Sequence, residues 1–64
     1  MSVGKFIKEK REEKGITQQE LADAIGYERS MIAHIERESK PVTLRQAAAI
    51  AEELGVTLEE MASA

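Results

Sequence analysis

The chain of 64 residues contains no cysteine, which excludes disulfides and thiolate metal sites. It has no tryptophan, one phenylalanine and one tyrosine, so a core built from it must be aliphatic. No long apolar run occurs. The longest, Ala47 to Ala51, is five residues, too short for a membrane span or the core of a signal peptide, and a cytoplasmic protein is expected. A single histidine, His34, without cysteine or a carboxylate at zinc spacing, makes no metal site. No nucleophile–base pair and no glycine-rich phosphate loop is present. The acidic pairs Glu52-Glu53 and Glu59-Glu60 are adjacent residues, which do not face each other on a helix. The expectation is therefore neither an enzyme nor a holder of a cofactor, metal or small-molecule ligand. Nor is there an excess of positive charge. The net charge is −3, which weighs against a nucleic-acid partner until its distribution is considered. Residues 1–14 carry +2, residues 15–27 carry −2, residues 28–46 carry +1 and residues 47–64 carry −4. The acid is concentrated at the C-terminal end, and a polarised domain can still offer a non-negative face to phosphates.

What is present is a repeated start signal. Ile16-Thr17-Gln18-Gln19-Glu20-Leu21, Val42-Thr43-Leu44-Arg45-Gln46-Ala47 and Val56-Thr57-Leu58-Glu59-Glu60-Met61 share one pattern. In each, the Thr hydroxyl can accept from the backbone N–H three residues on. The Glu or Gln can reach back to the Thr N–H, and the flanking apolar pair can close over both. Stop signals agree: Gly15, Gly26 and Gly55 follow helical stretches, and Pro41 cannot continue one. The spacing predicts helices near 3–14, 18–25, 29–37, 44–54 and 58–63, and no stretch alternates with a strand period. The expected fold is all-α, a single domain over residues 1–64. A chain of this size buries only ~60% of the surface that its unfolded form exposes.

Apolar periodicity assigns faces. Val3, Phe6 and Ile7 mark one side of the first helix, with Phe6 either packed on the fifth helix or left at a contact surface. Leu44, Ala47, Ala48, Ile50, Ala51 and Leu54 make the fourth helix apolar on much of its circumference, as expected of a central core helix. Leu58 and Met61 make the fifth helix a lid. The stretch Thr17 to Arg37 reads as two helices joined by a tight turn at Gly26. Leu21, Ile25, Ile32 and Ile35 face inward, and Ala22 is small enough for close approach. At 100° per residue, Met31, Ile32 and Ile35 of the third helix fall within roughly 100°, and Arg29, Ser30, Ala33, His34 and Arg37 within roughly 140° on the other side. That outer face carries no acid and no bulky hydrophobe. Arg can bridge guanine O6 and N7, Ser can donate or accept, and a methyl can meet the thymine methyl, so the face suits a major groove.

With Gly15-Ile16-Thr17-Gln18, Glu20-Leu21-Ala22, Ile25-Gly26, Ile32, Ile35-Glu36-Arg37 and Ile50-Ala51-Glu52-Glu53-Leu54-Gly55-Val56 in register, residues 3–61 resemble the helix-turn-helix domain of the phage-repressor and Cro class, the XRE family. The resemblance implies a five-helix domain, double-stranded DNA as partner, transcriptional control, most often repression, and a homodimer on a near-palindromic operator. It implies that Arg29, Ser30, Ala33 and His34 face bases, and that Gln18, Arg37 and Lys40 meet the DNA backbone. It also implies a buried ion pair between Arg11 and Glu36. Three residues depart from the family pattern: Glu28 in place of Ser or Thr, Tyr27 in place of Val or Thr, and Glu38 where Gly is common. The expected dimer interface is the fifth helix with the end of the fourth, with Phe6 beside it. The acidic C-terminal third and Glu28 keep open a protein-interaction module on the same fold, such as an antitoxin-like or regulatory partner. A targeting domain of a larger protein is a third reading.

Overall fold

Three threonines set three of the five helix starts in the computed structural model, which describes residues 2–64. The helices are α1 (Val3–Glu13), α2 (Gln18–Ile25), α3 (Arg29–Arg37), α4 (Leu44–Leu54) and α5 (Leu58–Ala62). Thr17 Oγ1 accepts from the Glu20 backbone N–H at 3.0 Å, and the Thr17 N–H donates to Glu20 Oε1 at 2.8 Å. Thr43 with Gln46 and Thr57 with Glu60 repeat the reciprocal pair. α1 starts at Ser2, whose hydroxyl accepts from the Lys5 N–H at 3.0 Å. These bonds occupy orphan donors that every helix start leaves. The first and last helices each close one residue earlier than the sequence pattern places them, at Glu13 and Ala62.

The helix ends are equally regular, with one substitution of means. At Gly26 the chain turns left-handed (φ 76°), the Gly26 N–H donates to the Asp23 carbonyl and the Tyr27 N–H to the Ala22 carbonyl at 2.9 Å. This is the Schellman closure, which a glycine makes without steric cost. α3 closes by the same two bonds, from the Glu38 and Ser39 N–H groups to the Ile35 and His34 carbonyls, both at 3.0 Å. Here, however, the left-handed residue is Glu38 (φ 59°), the one non-glycine with positive φ among the described residues. Its carboxylate explains how the conformation is held. It accepts from the Gly4 N–H at 3.2 Å and from the Ser2 hydroxyl, so the end of α3 caps the start of α1. The junction is close: a Cβ on Gly4 would lie 2.5 Å from the Ile35 carbonyl oxygen and 2.6 Å from that of Glu36.

Ile7, Leu21, Ile32 and Ile50 are fully buried, one from each of the first four helices, and Ala22, Ile35, Ala51, Leu54 and Met61 complete the core. α3 packs against both α2 and α1, while α4 packs against α1, α2 and α5. Phe6, Ile25 and Met31 are half-buried against the cluster. The fourth helix is less central than its composition implies: Ile50, Ala51 and Leu54 are buried, but Leu44 is 77% exposed. Val42 and Ala47 pack on the core around the first turn of α4, whereas Leu44, like Ala48, lies off the buried side of the helix.

The Glu36 side chain is buried, and so is the arginine that meets it, Arg11. Its Nε donates to Glu36 Oε2 at 2.8 Å, its Nη2 to Glu36 Oε1 at 3.1 Å and its Nη1 to the Ile16 carbonyl at 2.8 Å. The Glu36 side chain is 3% exposed. The fork geometry joins α1 to α3 and to the α1–α2 loop, satisfying donors that would otherwise be costly to bury. The hydrogen bonds to Glu36 hold the Arg11 guanidinium above its ordinary pKa, against the opposing pull of burial, with the charges of Glu36 and then Glu12 adding to the rise. A raised base contributes stability below its unfolded pKa and loses it only as pH climbs through the folded value, so Arg11 contributes none of the stability change between neutral and mildly acidic pH.

Replacing Arg11 with Met strands the Glu36 carboxylate and should lower the unfolding free energy by about 3–5 kcal/mol, measured by urea denaturation. At position 38 the carboxylate and the backbone can be separated. Glu38→Ala and Glu38→Gly both remove the cap on α1, but only alanine keeps a Cβ at positive φ, so the alanine variant should be less stable than the glycine variant by about 1 kcal/mol. Equal midpoints in denaturation would mean that residue 38 is not left-handed in solution.

Candidate nucleic-acid interface

The turn at Gly26 lets α3 leave α2 at the angle that buries Leu21 and Ala22 against Ile32 and Ile35. Ala22 is 0% exposed, and a larger side chain there would push the two helices apart. This packing leaves the N-terminal ends of α2 and α3 side by side. Gln18, the first residue of α2, donates from Nε2 to Glu36 Oε1 at 2.9 Å. Its Oε1 accepts from Arg29 Nη1, the first residue of α3, at a long 3.4 Å. A single relay therefore runs from the buried pair outward: Arg11, Glu36, Gln18, Arg29. It begins in the core and ends on an exposed guanidinium.

Arg29, Ser30 and Arg37 are exposed on α3, and Lys40 is exposed in the segment that follows it. His34 is half-buried. Its Nδ1 lies 2.9 Å from the Ser39 hydroxyl and 3.3 Å from Arg37 Nη2. Ala33 is not part of this face. It is 7% exposed, whereas the angular projection of α3 places it outside. The projection assumes one packed side, but α3 is covered by α1 on one flank and α2 on another, which widens its buried arc to include Ala33 and the Glu36 side chain. The structure thus assembles Gln18, Arg29, Ser30, His34 and Arg37 along the exposed side of the helix pair, with Lys40 beyond the α3 exit, and withdraws Ala33.

Acidic groups stand at both ends of α3. Glu28 precedes it, exposed, and is the one helix-flanking start residue whose side chain makes no capping hydrogen bond. Glu38 follows it but is turned onto α1. Sequence reasoning missed Ser39, which reaches His34 only because Glu38 is left-handed. The unusual residue at position 38 was the one available signal. Among the described residues no group of three His, Asp or Glu is placed to hold a metal ion, and no helix is long and apolar enough to cross a membrane.

Comparison with known proteins follows this geometry. The family profile described as helix-turn-helix (HTH_3) matches residues 7–61. A comparison with curated protein sequences gave no match. Among solved structures, the restriction-modification controller protein C.AhdI from Aeromonas hydrophila superposes with a TM-score of 0.87 at 30% identity, covering 92% of this chain and 86% of that one. SinR, the master regulator for biofilm formation, solved in complex with DNA, gives 0.88 at 28% identity over 94% and 97%. The P22 c2 repressor, solved with a synthetic operator, gives 0.90 over 95% and 92%, and at 20% identity it speaks for the fold alone. With these matches over nearly the whole length, the chain belongs to the helix-turn-helix family, in its phage-repressor and Cro (XRE) type.

Proposed function

We propose that the chain binds double-stranded DNA sequence-specifically and regulates transcription, by repression, with α3 in the major groove. The observation that carries this reading is the relay that ends on Arg29. A buried, fully satisfied ion pair orients Gln18, and Gln18 orients the first residue of α3. The long 3.4 Å bond sets the Arg29 guanidinium beside that amide, and an arginine there can make bidentate contact with guanine. Arg29, Ser30 and His34 face base edges. Gln18, Arg37 and Lys40 meet phosphates. The DNA complex of SinR, at 28% identity, supports DNA binding here.

A homodimer belongs to the proposal, since a two-fold pair sets two α3 helices one helical turn apart, about 34–36 Å, on a near-palindromic site. The exposed apolar surface shifts its position from the one expected. It gathers Leu44, at the start of α4, with Leu58 of α5, 42% exposed, and half-buried Val3, Val42 and Ala47. The end of α4 contributes Leu54 to the core instead. Phe6 packs inward, with Lys10 Nζ 5.6 Å from its ring centre. The same apolar surface favours the second reading, a protein-interaction module on this fold.

Selection from random duplexes separates the two, and the DNA-binding reading expects an enriched, near-palindromic consensus. Within that consensus, Arg29→Ala should relax one base preference by about 1–3 kcal/mol. Lys40→Ala should weaken all duplexes alike and reduce the salt dependence by about one counterion. Leu44→Asp should lower joint occupancy of two half-sites in gel shifts while leaving single half-site binding unchanged. If joint occupancy persists, the dimer uses another surface.

A further inference from the structure

Resting on the DNA-binding reading, we infer that His34 acts on its base as a hydrogen-bond donor through Nε2, because Arg37 and Ser39 hold its Nδ1 as an acceptor, and that it therefore selects a base that offers an acceptor in the major groove. The argument begins with what each partner can do. A guanidinium has five N–H donors and no acceptor, and it stays protonated. Arg37 Nη2 at 3.3 Å from His34 Nδ1 is thus satisfied only if Nδ1 presents its lone pair. Ser39 Oγ, at 2.9 Å from the same nitrogen, has one proton to give and is compatible with that arrangement. In the opposite tautomer the Nδ1 proton could go to Ser39 Oγ, and the hydroxyl could turn to the His34 carbonyl at 3.3 Å. The Arg37 N–H would then point at another N–H. Arg37 is therefore the deciding group and Ser39 the one that fixes the ring.

Both partners are placed by the α3 exit. Arg37 stands three residues beyond His34, on the adjoining turn of the same helix face. Ser39 folds back because Glu38 is left-handed, and its own N–H bonds to the His34 carbonyl at 3.0 Å. Ser39 is kept in place by the helix terminus, and Arg37 reaches Nδ1 with an exposed side chain. In the neutral ring the remaining nitrogen, Nε2, carries the proton. Guanine offers two acceptors in the major groove, N7 and O6, adenine offers N7 and thymine offers O4. Cytosine offers only its N4 amino donor and is rejected.

Two measurements test this, and they fail separately. In the ¹⁵N-labelled full chain without DNA at pH 8, long-range proton–nitrogen spectra should show His34 Nδ1 unprotonated and Nε2 protonated. Arg37→Ala should raise the Nδ1-protonated population, while Ser39→Ala should not. A protonated Nδ1 in the unaltered chain, or a tautomer ratio unmoved by Arg37→Ala, overturns the proposal. In duplex selection, one position per half-site should exclude cytosine. His34→Lys, still a donor, should keep an acceptor edge there, whereas His34→Asp, an acceptor, should exchange it for cytosine. A cytosine preference in the unaltered chain overturns the assignment. Enrichment of no duplex at all defeats the DNA-binding reading and with it the base-edge assignment, while the resonance result still decides the tautomer.

Discussion

The bidentate pair of Arg11 and Glu36 is the interaction on which the arrangement of α1, α2 and α3 depends. Through Arg11 it ties α1 and the loop that follows it to α3, 25 residues further on. Buried pairs are weak sources of net stability, because desolvation offsets much of their attraction, and their better-attested use is in fixing one arrangement over others. Here the arrangement fixed is outward as well as inward. Glu36 Oε1 accepts from both Arg11 and Gln18, so the carboxylate that satisfies the core also sets the amide at the surface. Without that second acceptor bond the first residue of α2 would be an ordinary solvated glutamine.

α3 carries two duties at once, and its two ends are handled differently. At its start there is no side-chain cap, only Glu28 in exposed, extended backbone. At its end the chain turns sharply through a residue that would usually be glycine. Glu38 substitutes a tertiary bond for conformational freedom: the carboxylate that holds the left-handed backbone also caps α1. The close contact of Gly4 with the Ile35 and Glu36 carbonyls belongs to the same solution, since only a residue without Cβ lets α1 come within reach of that carboxylate. Stability at the α1–α3 junction and the position of Ser39 beside His34 are consequently one problem.

Much of the fold was legible in local chemistry. The three Thr-x-x-Glu/Gln signals became three reciprocal capping boxes because both bonds lie within four residues, where tertiary structure has little say. The inward positions Leu21, Ala22, Ile32 and Ile35 were likewise legible from helical spacing. Spacing failed at Ala33 and Leu44 for opposite reasons. Ala33 is covered because α3 has neighbours on two flanks, and Leu44 is bare because it stands outside the arc that α4 buries. A one-dimensional pattern records which residues are apolar but not how wide an arc each neighbour covers.

Taken alone, the sequence determined five helices, their boundaries to within a residue at most ends, the turn at Gly26 and the composition of an aliphatic core. Each of these follows from short-range hydrogen bonding and periodicity. The tertiary structure decided the rest: that Gln18 links the buried carboxylate to Arg29, that Glu38 closes α1 as well as α3, and that Ser39 and Arg37 converge on one nitrogen of His34. Apart from Arg37, three residues from His34 on the same helix, those contacts join residues up to 36 positions apart or depend on one left-handed dihedral, and no local preference specifies either. They exist because packing α1 and α2 against α3 brings the partners within hydrogen-bonding distance, where a buried donor or acceptor left unpaired would cost more than the ordering of its partner.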